Sequence, residues 1–475
     1  MNNTTPLVID LDGTLIRSDM LVESGFAFLK QNPLHLFSMV NWLLTSKARL
    51  KRELAEKVDL DVTTLPYVPE VLAFIKEEKS KGRKIVLATA SHMIYAKKIA
   101  DHLELFDDVI ATESDVNLTS TQKAERLVSL YGKKGFDYAG NSMDDITVWP
   151  FARESIVVNP EAGVLSKAKK IGNISKIIDA KLPLAKTLLK AFRIHQWAKN
   201  ALIFVPLLAS HQISNLDKIA DGIIAFIVFG LCASSVYLLN DLLDIQDDRH
   251  HQTKRKRPFA SGALSIKTGV LLFPLLLIGS FMGAYLLLPL PFLFALAAYY
   301  VLTVLYSFSL KRIVVVDVIV LAILYTMRMI AGTFAFEVSL TFWMLAFSMF
   351  IFLSLALVKR YTELAEARSA GNLEKARGRG YYPDDLEMIS SLGAAAGYIS
   401  VMVLALYIQD ASTISLYTRP QFIWLACPIL LFWMSRVWLL AHRGQMHDDP
   451  VVFAIKDKVS IVVGLLFGLI FWLAV

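Results

Sequence analysis

Two hydrophobic patterns divide the chain. Up to about residue 180, apolar positions come in short runs separated by amphipathic stretches. Runs at 7–10, 84–88, 108–111, 137–139 and 155–158 predict buried strands, and stretches such as 70–79 and 122–130 predict helices between them. That alternation predicts a parallel sheet with helices on both faces, with ligands bound at the carboxyl ends of the strands. Polar residues of chemical interest fall at those ends: Asp10 and Asp12, Thr89 and Ser91, and the segment 140–145. Beyond residue 185 the apolar runs lengthen. An all-α bundle of about nine membrane helices is predicted, taking roughly 20 residues per span. Their centres lie in 197–210, 219–243, 268–288, 291–308, 314–335, 340–358, 393–408, 422–440 and 459–473. The first is short and continues upstream as an amphipathic helix from Leu184; the pattern leaves open whether it crosses fully.

Composition sharpens the division. Of 475 residues 55% are hydrophobic, and the mean hydropathy is +0.49. That is too apolar for one soluble domain, and the break argues for two, 1–180 and 181–475. The net charge of +7 points to topology rather than nucleic acid, because basic residues crowd particular loops. They gather at 249–267, 311–312, 359–379 and 443–458, whereas the loops near His211, 288–291, Glu337 and 410–415 carry almost none. Alternate loops are therefore expected to be cytoplasmic. This predicts an integral protein of the cytoplasmic membrane, its N-terminal domain in the cytoplasm and its C-terminus on the far side. Cys232 and Cys427 both fall inside apolar runs and make neither a disulfide framework nor a zinc site. The first residues have no charged n-region or apolar h-region, so no cleaved signal peptide is expected.

The densest chemistry lies at the end of the run 219–243, where residues 240–262 read NDLLDIQDDRHHQTKRKRPFASG. Asn240, Asp241, Asp244 and Asp248 are spaced by three or four positions beyond the first pair, which puts the acids on one helical face. Carboxylates at a bilayer helix end are rare and usually functional. Clustered oxygen ligands suit Mg²⁺ bridged to substrate phosphates, and Lys254 to Arg257 supply partners for phosphate oxygens. A metal-bound diphosphate donor is expected. Two donors fit equally: a prenyl diphosphate, or phosphoribosyl diphosphate.

In the N-terminal half, the run DLDGTL (10–15 is its DLDGTL frame) resembles motif one of the haloacid dehalogenase superfamily. The resemblance implies a Rossmann-like α/β fold with a helical cap. It casts Asp10 as the nucleophile that forms an aspartyl phosphate and Asp12 as general acid and base. Thr89 in LATAS matches motif two, with Ser91 beside it, and both would hold phosphate. Lys123 in STQKAERL matches motif three, and GNSMDD at 140–145 matches motif four. Asp10, Asp12, Asn141 and Asp145 would then hold Mg²⁺. Asn141 stands where the family usually has an aspartate, which leaves phosphatase turnover less certain than the fold. The cap carries LHLFSMVNWLLT, 34–45, too short to span a bilayer. It is either cap core or a segment pressed on the membrane surface.

The pattern of Asn240, Asp241, Asp244 and Asp248 resembles the UbiA superfamily of intramembrane transferases, in which it coordinates Mg²⁺ on a donor diphosphate. YSFSLKRIVVVD, 306–317, carries Tyr306, Lys311 and the single acid Asp317, with Arg328 beyond. Together with RIHQWAKN, TKRKRPFASG and KRYTEL, this resembles the branch that makes polyprenyl-phosphoryl phosphoribose. The resemblance implies catalytic roles for Asp241 and Asp244, with Asp248 completing the metal ligands. It implies substrate contacts from Asn240, Lys254, Arg257, Tyr306, Lys311, Asp317, Arg328, Lys359 and Arg360. Several have plainer readings: Lys311, Arg312, Lys359 and Arg360 as topology signals and Tyr306 as an interfacial aromatic, with His195, His250 and His251 as loop polar groups; Asp317, after a valine run, is harder to explain as structure. The expected activity is phosphoribosyl transfer to a polyprenyl phosphate, followed by removal of the product's 5-phosphate. An aromatic prenyltransferase and a transporter with an inactive phosphatase-like domain are the alternatives.

Overall fold

Parallel pairing builds the N-terminal sheet around its shortest, most buried strand. The computed structural model describes residues 5–113, 118–180, 183–251, 253–371, 379–410, 417–446 and 449–475. Parts of the loops expected at 359–379 and 410–415 lie outside the described residues. Strand β1 (Leu7–Ile9) is followed by the cap helices α1 (Met20–Gln31), α2 (His35–Thr45) and α3 (Lys47–Lys57), and then by α4 (Pro69–Ser80). Next come β2 (Ile85–His92), α5 (Met93–Leu103), β3 (Asp108–Thr112), α6 (Ser120–Tyr131), β4 (Asp137–Gly140), β5 (Ser155–Val158), α7 (Val164–Ile171) and β6 (Ile174–Ile178). The six strands lie in the order β3-β2-β1-β4-β5-β6. Leu7 is in register with Ile85 on one side and Asp137 on the other, both parallel. Strands after β1 are added first on one side (β2, β3) and then on the other (β4, β5, β6), and the switch point between β1 and β4 is where such sheets bind ligands. The expected strands are all present. The edge strand β6 is additional; Ser175 and Lys176 interrupt its apolar run because its middle residues are exposed.

The cap helix α2 has no buried residue. Its inner edge packs lightly, with His35 stacked 4.0 Å from the Phe28 ring and Trp42 at 5.5 Å. Its outer positions Leu36, Phe37, Val40, Leu43 and Leu44 are exposed. The run 34–45 is therefore not cap core.

The remaining helices are α8 (Leu184–Ala191), α9 (Val205–Ala209), α10 (Leu216–Leu243), α11 (Ile245–His250), α12 (Ile266–Leu287), α13 (Leu290–Phe308), α14 (Val316–Ala335), α15 (Phe342–Ser369), α16 (Leu386–Gln409), α17 (Ala426–His442), α18 (Pro450–Lys456) and α19 (Lys458–Ala474). Among the described residues seven helices are long and apolar enough to cross a membrane, or eight if the pair α18 and α19, bent by 81°, forms one span. The expected span at 197–210 is instead a 3-10 segment, Ile194–Phe204, running into short α9. Polar His195, Gln196, Lys199 and Asn200 and the proline at 206 deny it a continuous apolar helix.

By packing, the chain divides into Met1–Phe192 with Tyr237–Pro274, and Arg193–Val236 with Leu275–Val475. The acid-rich segment after α10 packs with the N-terminal sheet and cap, although its motif pairs it with the membrane helices. Inside the second unit, α14 passes so close to the 3-10 segment that a Cβ on Gly332 would meet the Ile203 carbonyl oxygen at 2.1 Å. Small residues allow such approaches between membrane helices. Gly332→Ala is expected to lower stability by about 1–3 kcal/mol, seen as an earlier melting midpoint of the full-length protein in detergent.

Candidate functional site

Asp10 follows β1 directly and enters the crevice between β1 and β4. Its backbone N–H donates to the Ala139 carbonyl at 3.0 Å, which fixes the carboxylate at the sheet edge. Lys123 on α6 reaches it, with Nζ 2.7 Å from Asp10 Oδ1 and 3.0 Å from the Tyr138 hydroxyl. Tyr138 donates in turn to Asp145 Oδ1 at 2.8 Å. The other oxygen of Asp145 accepts from the backbone N–H groups of Asn141 at 2.9 Å and Ser142 at 2.8 Å. Asp145 thereby holds the turn after β4, and only glycine fits at 140, where a Cβ would lie 2.5 Å from Asp145 Cγ.

Asp12 faces β2. Ser91 Oγ donates to its Oδ2 at 2.6 Å, and Met20 N–H donates to its Oδ1 at 2.8 Å. Thr89 Oγ1 accepts from Ser91 N–H at 3.0 Å, and Asn141 Oδ1 accepts from Thr14 Oγ1 at 3.2 Å. Gly13 has φ +79° and lies against the Asn141 side chain. All seven residues expected here, Asp10, Asp12, Thr89, Ser91, Lys123, Asn141 and Asp145, stand along this one sheet edge. The cap contributes Lys51 from α3, whose Nζ donates to the Ala90 carbonyl between Thr89 and Ser91. Burial holds that amine down to about 8.

Burial pushes the Asp10 carboxyl up to about 7 against the pull of Lys123, and Asp145 and Asp12 push the same way. Burial and the Asp19 carboxylate push Asp12 up to about 6. Carboxyls raised in this way are lowered again by an added positive charge, so the donor set fits a divalent cation electrostatically. Among the described residues no three Asp, Glu, His or Cys side chains converge as a closed metal cage. Mg²⁺ needs none, because one or two carboxylates with water and substrate oxygens complete its shell.

The acid run after α10 has two pairings. α10 ends at Leu243, yet Asp244 N–H still bonds Asn240 O at 2.9 Å, and Asp248 N–H bonds Asp244 O at 2.8 Å. Helical pitch therefore carries across the break, and Asp241 and Asp248, two turns apart, share a face. Both meet Arg257, whose Nη1 lies 3.2 Å from Asp241 Oδ1 and 2.7 Å from Asp248 Oδ2. Two carboxylates converging on one positive nitrogen is the arrangement a divalent cation would use in its place. Burial pushes Asp248 up to about 6 against the opposing Arg257. Asp244 turns to a different cation, Lys30 at the end of α1, 2.6 Å away. Lys254 is exposed on a short 3-10 turn, and of the basic run Arg257 is the residue that points inward to the acids. Asn240 is half-buried and contributes its carbonyl to the helix turn.

Glu23 on α1 anchors this segment. It is buried and accepts from Arg249 Nη1 at 2.8 Å and Nη2 at 2.6 Å, and from Gln246 Nε2 at 2.9 Å. Glu23→Ala strands the buried Arg249 charge, with an expected loss of about 3–5 kcal/mol. A Glu23→Met, Arg249→Met pair is expected to recover most of it. Denaturation midpoints of the three full-length proteins check this.

In the second unit, Asp317 is fully buried at the start of α14. Its Oδ1 accepts from the Tyr381 hydroxyl at 2.6 Å, and its Oδ2 lies 2.8 Å from Arg360 Nη2. Arg379 donates to the Tyr306 hydroxyl at 2.7 Å and stands 3.8 Å from Asp317. Tyr306, Asp317 and Arg360 therefore share one network, which also clamps Val315, at φ +67°, through its N–H to Tyr381 at 2.8 Å. A second network joins Lys199 and Lys359, whose Nζ atoms lie 2.8 and 3.1 Å from the same Asp449 oxygen. Tyr325 donates to the other Asp449 oxygen at 3.0 Å. Arg328 donates to Asn200 Oδ1 at 3.2 Å and to the Tyr299 hydroxyl at 3.0 Å, and it faces the rings of Tyr299 and Tyr325. Lys311 is half-buried on the 3-10 turn Leu310–Arg312. Among the described residues the cations of these two networks outnumber their carboxylates, an arrangement suited to anionic ligands.

Sequence reasoning did not find Glu23, Lys30, Lys51, Tyr138, Tyr381, Arg379 or Asp449. Asp449 stands before a proline that opens α18 and reads as an ordinary helix cap. Arg379 and Tyr381 lie in the irregular segment ahead of α16, and the rest in helix or strand patterns that do not reveal their partners.

The chain matches the model of the UbiA prenyltransferase family over residues 201–458 and that of haloacid dehalogenase-like hydrolases over 7–146. Protein y4nM of Sinorhizobium fredii is 35% identical over 99% of this chain and 91% of its own. Nodulation protein NoeC of Azorhizobium caulinodans is 39% identical over 62% of this chain and 94% of its own. The decaprenyl-phosphate phosphoribosyltransferase of Mycobacterium tuberculosis is 33% identical over 58% of this chain and 90% of its own. The chain thus belongs to the UbiA prenyltransferase family and carries a haloacid dehalogenase-like hydrolase domain at its N-terminal end.

Proposed function

We propose that this membrane enzyme transfers phosphoribose from phosphoribosyl diphosphate to a polyprenyl phosphate and then removes the 5-phosphate of the lipid-linked product. The observation that carries the reading is the complete phosphate-handling set at Asp10, Asp12, Thr89 and Lys123 on the same chain as the transferase motif. Phosphoribosyl transfer leaves a phosphomonoester for that set to hydrolyse, and prenyl transfer to an aromatic acceptor does not. The similarity to the phosphoribosyltransferase of M. tuberculosis supports the same donor.

In the first step the bond from ribose C1 to the diphosphate oxygen breaks, and pyrophosphate leaves with the electron pair. An oxygen of the lipid phosphate bonds to C1. Asp241 and Asp248 are the residues that would hold Mg²⁺, which would supply charge neutralisation at the leaving group. Arg257, which meets both acids, would then be available to a phosphate oxygen. In the second step Asp10 attacks phosphorus while Asp12 protonates the departing ester oxygen. Asp12 next takes a proton from the water that hydrolyses the aspartyl phosphate. Lys123 and Thr89 hold the phosphoryl oxygens. In this reading the hydrolase domain is 1–180 and the transferase domain 181–475, and the crowding of basic residues in alternate loops supports a cytoplasmic N-terminal domain at the inner face of the cytoplasmic membrane.

The test supplies the full-length protein with Mg²⁺, labelled phosphoribosyl diphosphate and polyprenyl phosphate. Label in the lipid fraction is the expected result. Lipid labelling from a prenyl diphosphate instead would replace this reading with an aromatic-type prenyl transfer.

A further inference from the structure

Neither chemistry uses the outer face of α2. Leu36, Phe37, Val40, Leu43 and Leu44 recur at helical spacing on one side, and Phe37 and Leu44 are 73% and 82% exposed. The opposite side, His35, Met39 and Trp42, faces the cap. Residues 35–45 contain no Asp, Glu, Lys or Arg. So large an uncharged apolar face is not left to water in a stable soluble domain.

We propose that α2 is an interfacial helix that lies in the lipid headgroup layer and fixes the phosphatase cap to the bilayer surface. Three observations select lipid as the occupant. The first is position. The last turn of α1, three residues before α2 begins to form, carries Lys30, which bonds Asp244 and Asp247 at 2.6 Å each. Asp244 directly follows Leu243, where the candidate span α10 ends, and Asp247 lies one helical turn further on. A span gives way to polar residues at the membrane surface, so the corner between α1 and α2 stands at that level. The second is length: 11 residues cover roughly 16 Å, enough to lie on a bilayer and too short to cross its core of about 30 Å. The third is charge. The helix that follows brings Lys47, Arg49, Arg52 and Lys57, with Lys47 and Lys57 exposed, a set that suits anionic headgroups. This placement rests on the membrane-spanning character of the chain and not on which group the enzyme transfers. What it adds to the proposed function is a route: the cap over Asp10 is held where a lipid-linked phosphomonoester presents its head.

The test uses the full-length protein in nanodiscs containing anionic lipid, with Cys232 and Cys427 replaced by alanine. Single-label variants carry a fluorophore at Phe37→Cys, Leu44→Cys or, as a water-facing control on α6, Leu130→Cys. Loss of emission at 37 and 44 with nitroxide-bearing lipid, and no loss with aqueous iodide, is the expected result. Leu130→Cys should behave in the opposite way. Iodide quenching at 37 and 44 would place the helix in water and overturn the proposal. Shielding from both quenchers would mean that a second copy or another protein covers it, which also overturns it. The unmodified protein provides an independent readout. A lipid photoreactive near its headgroup should form adducts on the peptide 31–46, and adducts confined to the spans would count against the proposal.

Discussion

Asp10→Asn is expected to abolish phosphomonoester hydrolysis and to make the 5-phosphorylated lipid accumulate, while transfer of label into lipid continues. The expected loss in hydrolysis is about ten-thousand-fold or more, the scale on which removing a covalent nucleophile acts. The geometry argues for that size. Asp10 is fixed by its own backbone at the strand end, and Lys123 is already on its Oδ1 at 2.7 Å. Among the described residues Asp12 is the nearest carboxylate alternative in motif one, and Ser91 and Met20 hold it toward β2. An amide at position 10 keeps the shape and loses the nucleophile. Chromatography of the labelled lipid before and after mild phosphatase treatment checks the outcome. Unchanged lipid product in the variant would move the second step away from this domain.

Asp241→Asn lowers transfer itself, by about a thousand-fold, since it removes one of the charges that would hold the cation on the leaving diphosphate. The side chain of Asp241 is 1% exposed and shares Arg257 with Asp248. Its loss therefore leaves Arg257 bound to a single acid and the cation position short of a ligand. Asp247→Asn is the matched control. It lies on α11 beside Asp248, but its side chain is 76% exposed and, among the described residues, meets Lys30, so transfer should stay near the parent rate. Hydrolysis of a soluble phosphomonoester, measured on the same preparations, should be unaffected in both variants. Equal losses in Asp241→Asn and Asp247→Asn would remove the acid run from the chemistry.

Strands β1, β2, β4 and β5 are legible because each is a short apolar run buried almost throughout, and carboxyl ends among them carry motif residues. Asp10, Thr89, Lys123 and Asp145 are recognisable by type and order. Their contacts were not legible. Tyr138 lies inside β4 and reads as core, yet it joins Lys123 to Asp145. Lys51 reads as one charge on a basic helix, and only the fold brings it to Ala90. In the acid run, spacing indicated one face for all the carboxylates. The structure instead divides them between Arg257 and Lys30, because Lys30 comes from a helix more than two hundred positions earlier. The short polar segment around Lys199 shows the same limit: an apolar average suggested a span where a proline and buried polar groups impose a 3-10 path.

The Glu23–Arg249 clasp has a practical result for anyone who would take the protein apart. Cutting the gene between the hydrolase and transferase coding regions at residue 180 removes Glu23 and Lys30 from Arg249 and Asp244. The recombinant membrane fragment would then begin life with a buried arginine lacking its acid, and its failure to express or act would say nothing about whether phosphatase chemistry is required. The same clasp ties the two halves together in inheritance, because recombination at that junction must repair the arginine before it can keep the enzyme. Division of labour in this protein is therefore to be read from single-residue changes in the intact chain.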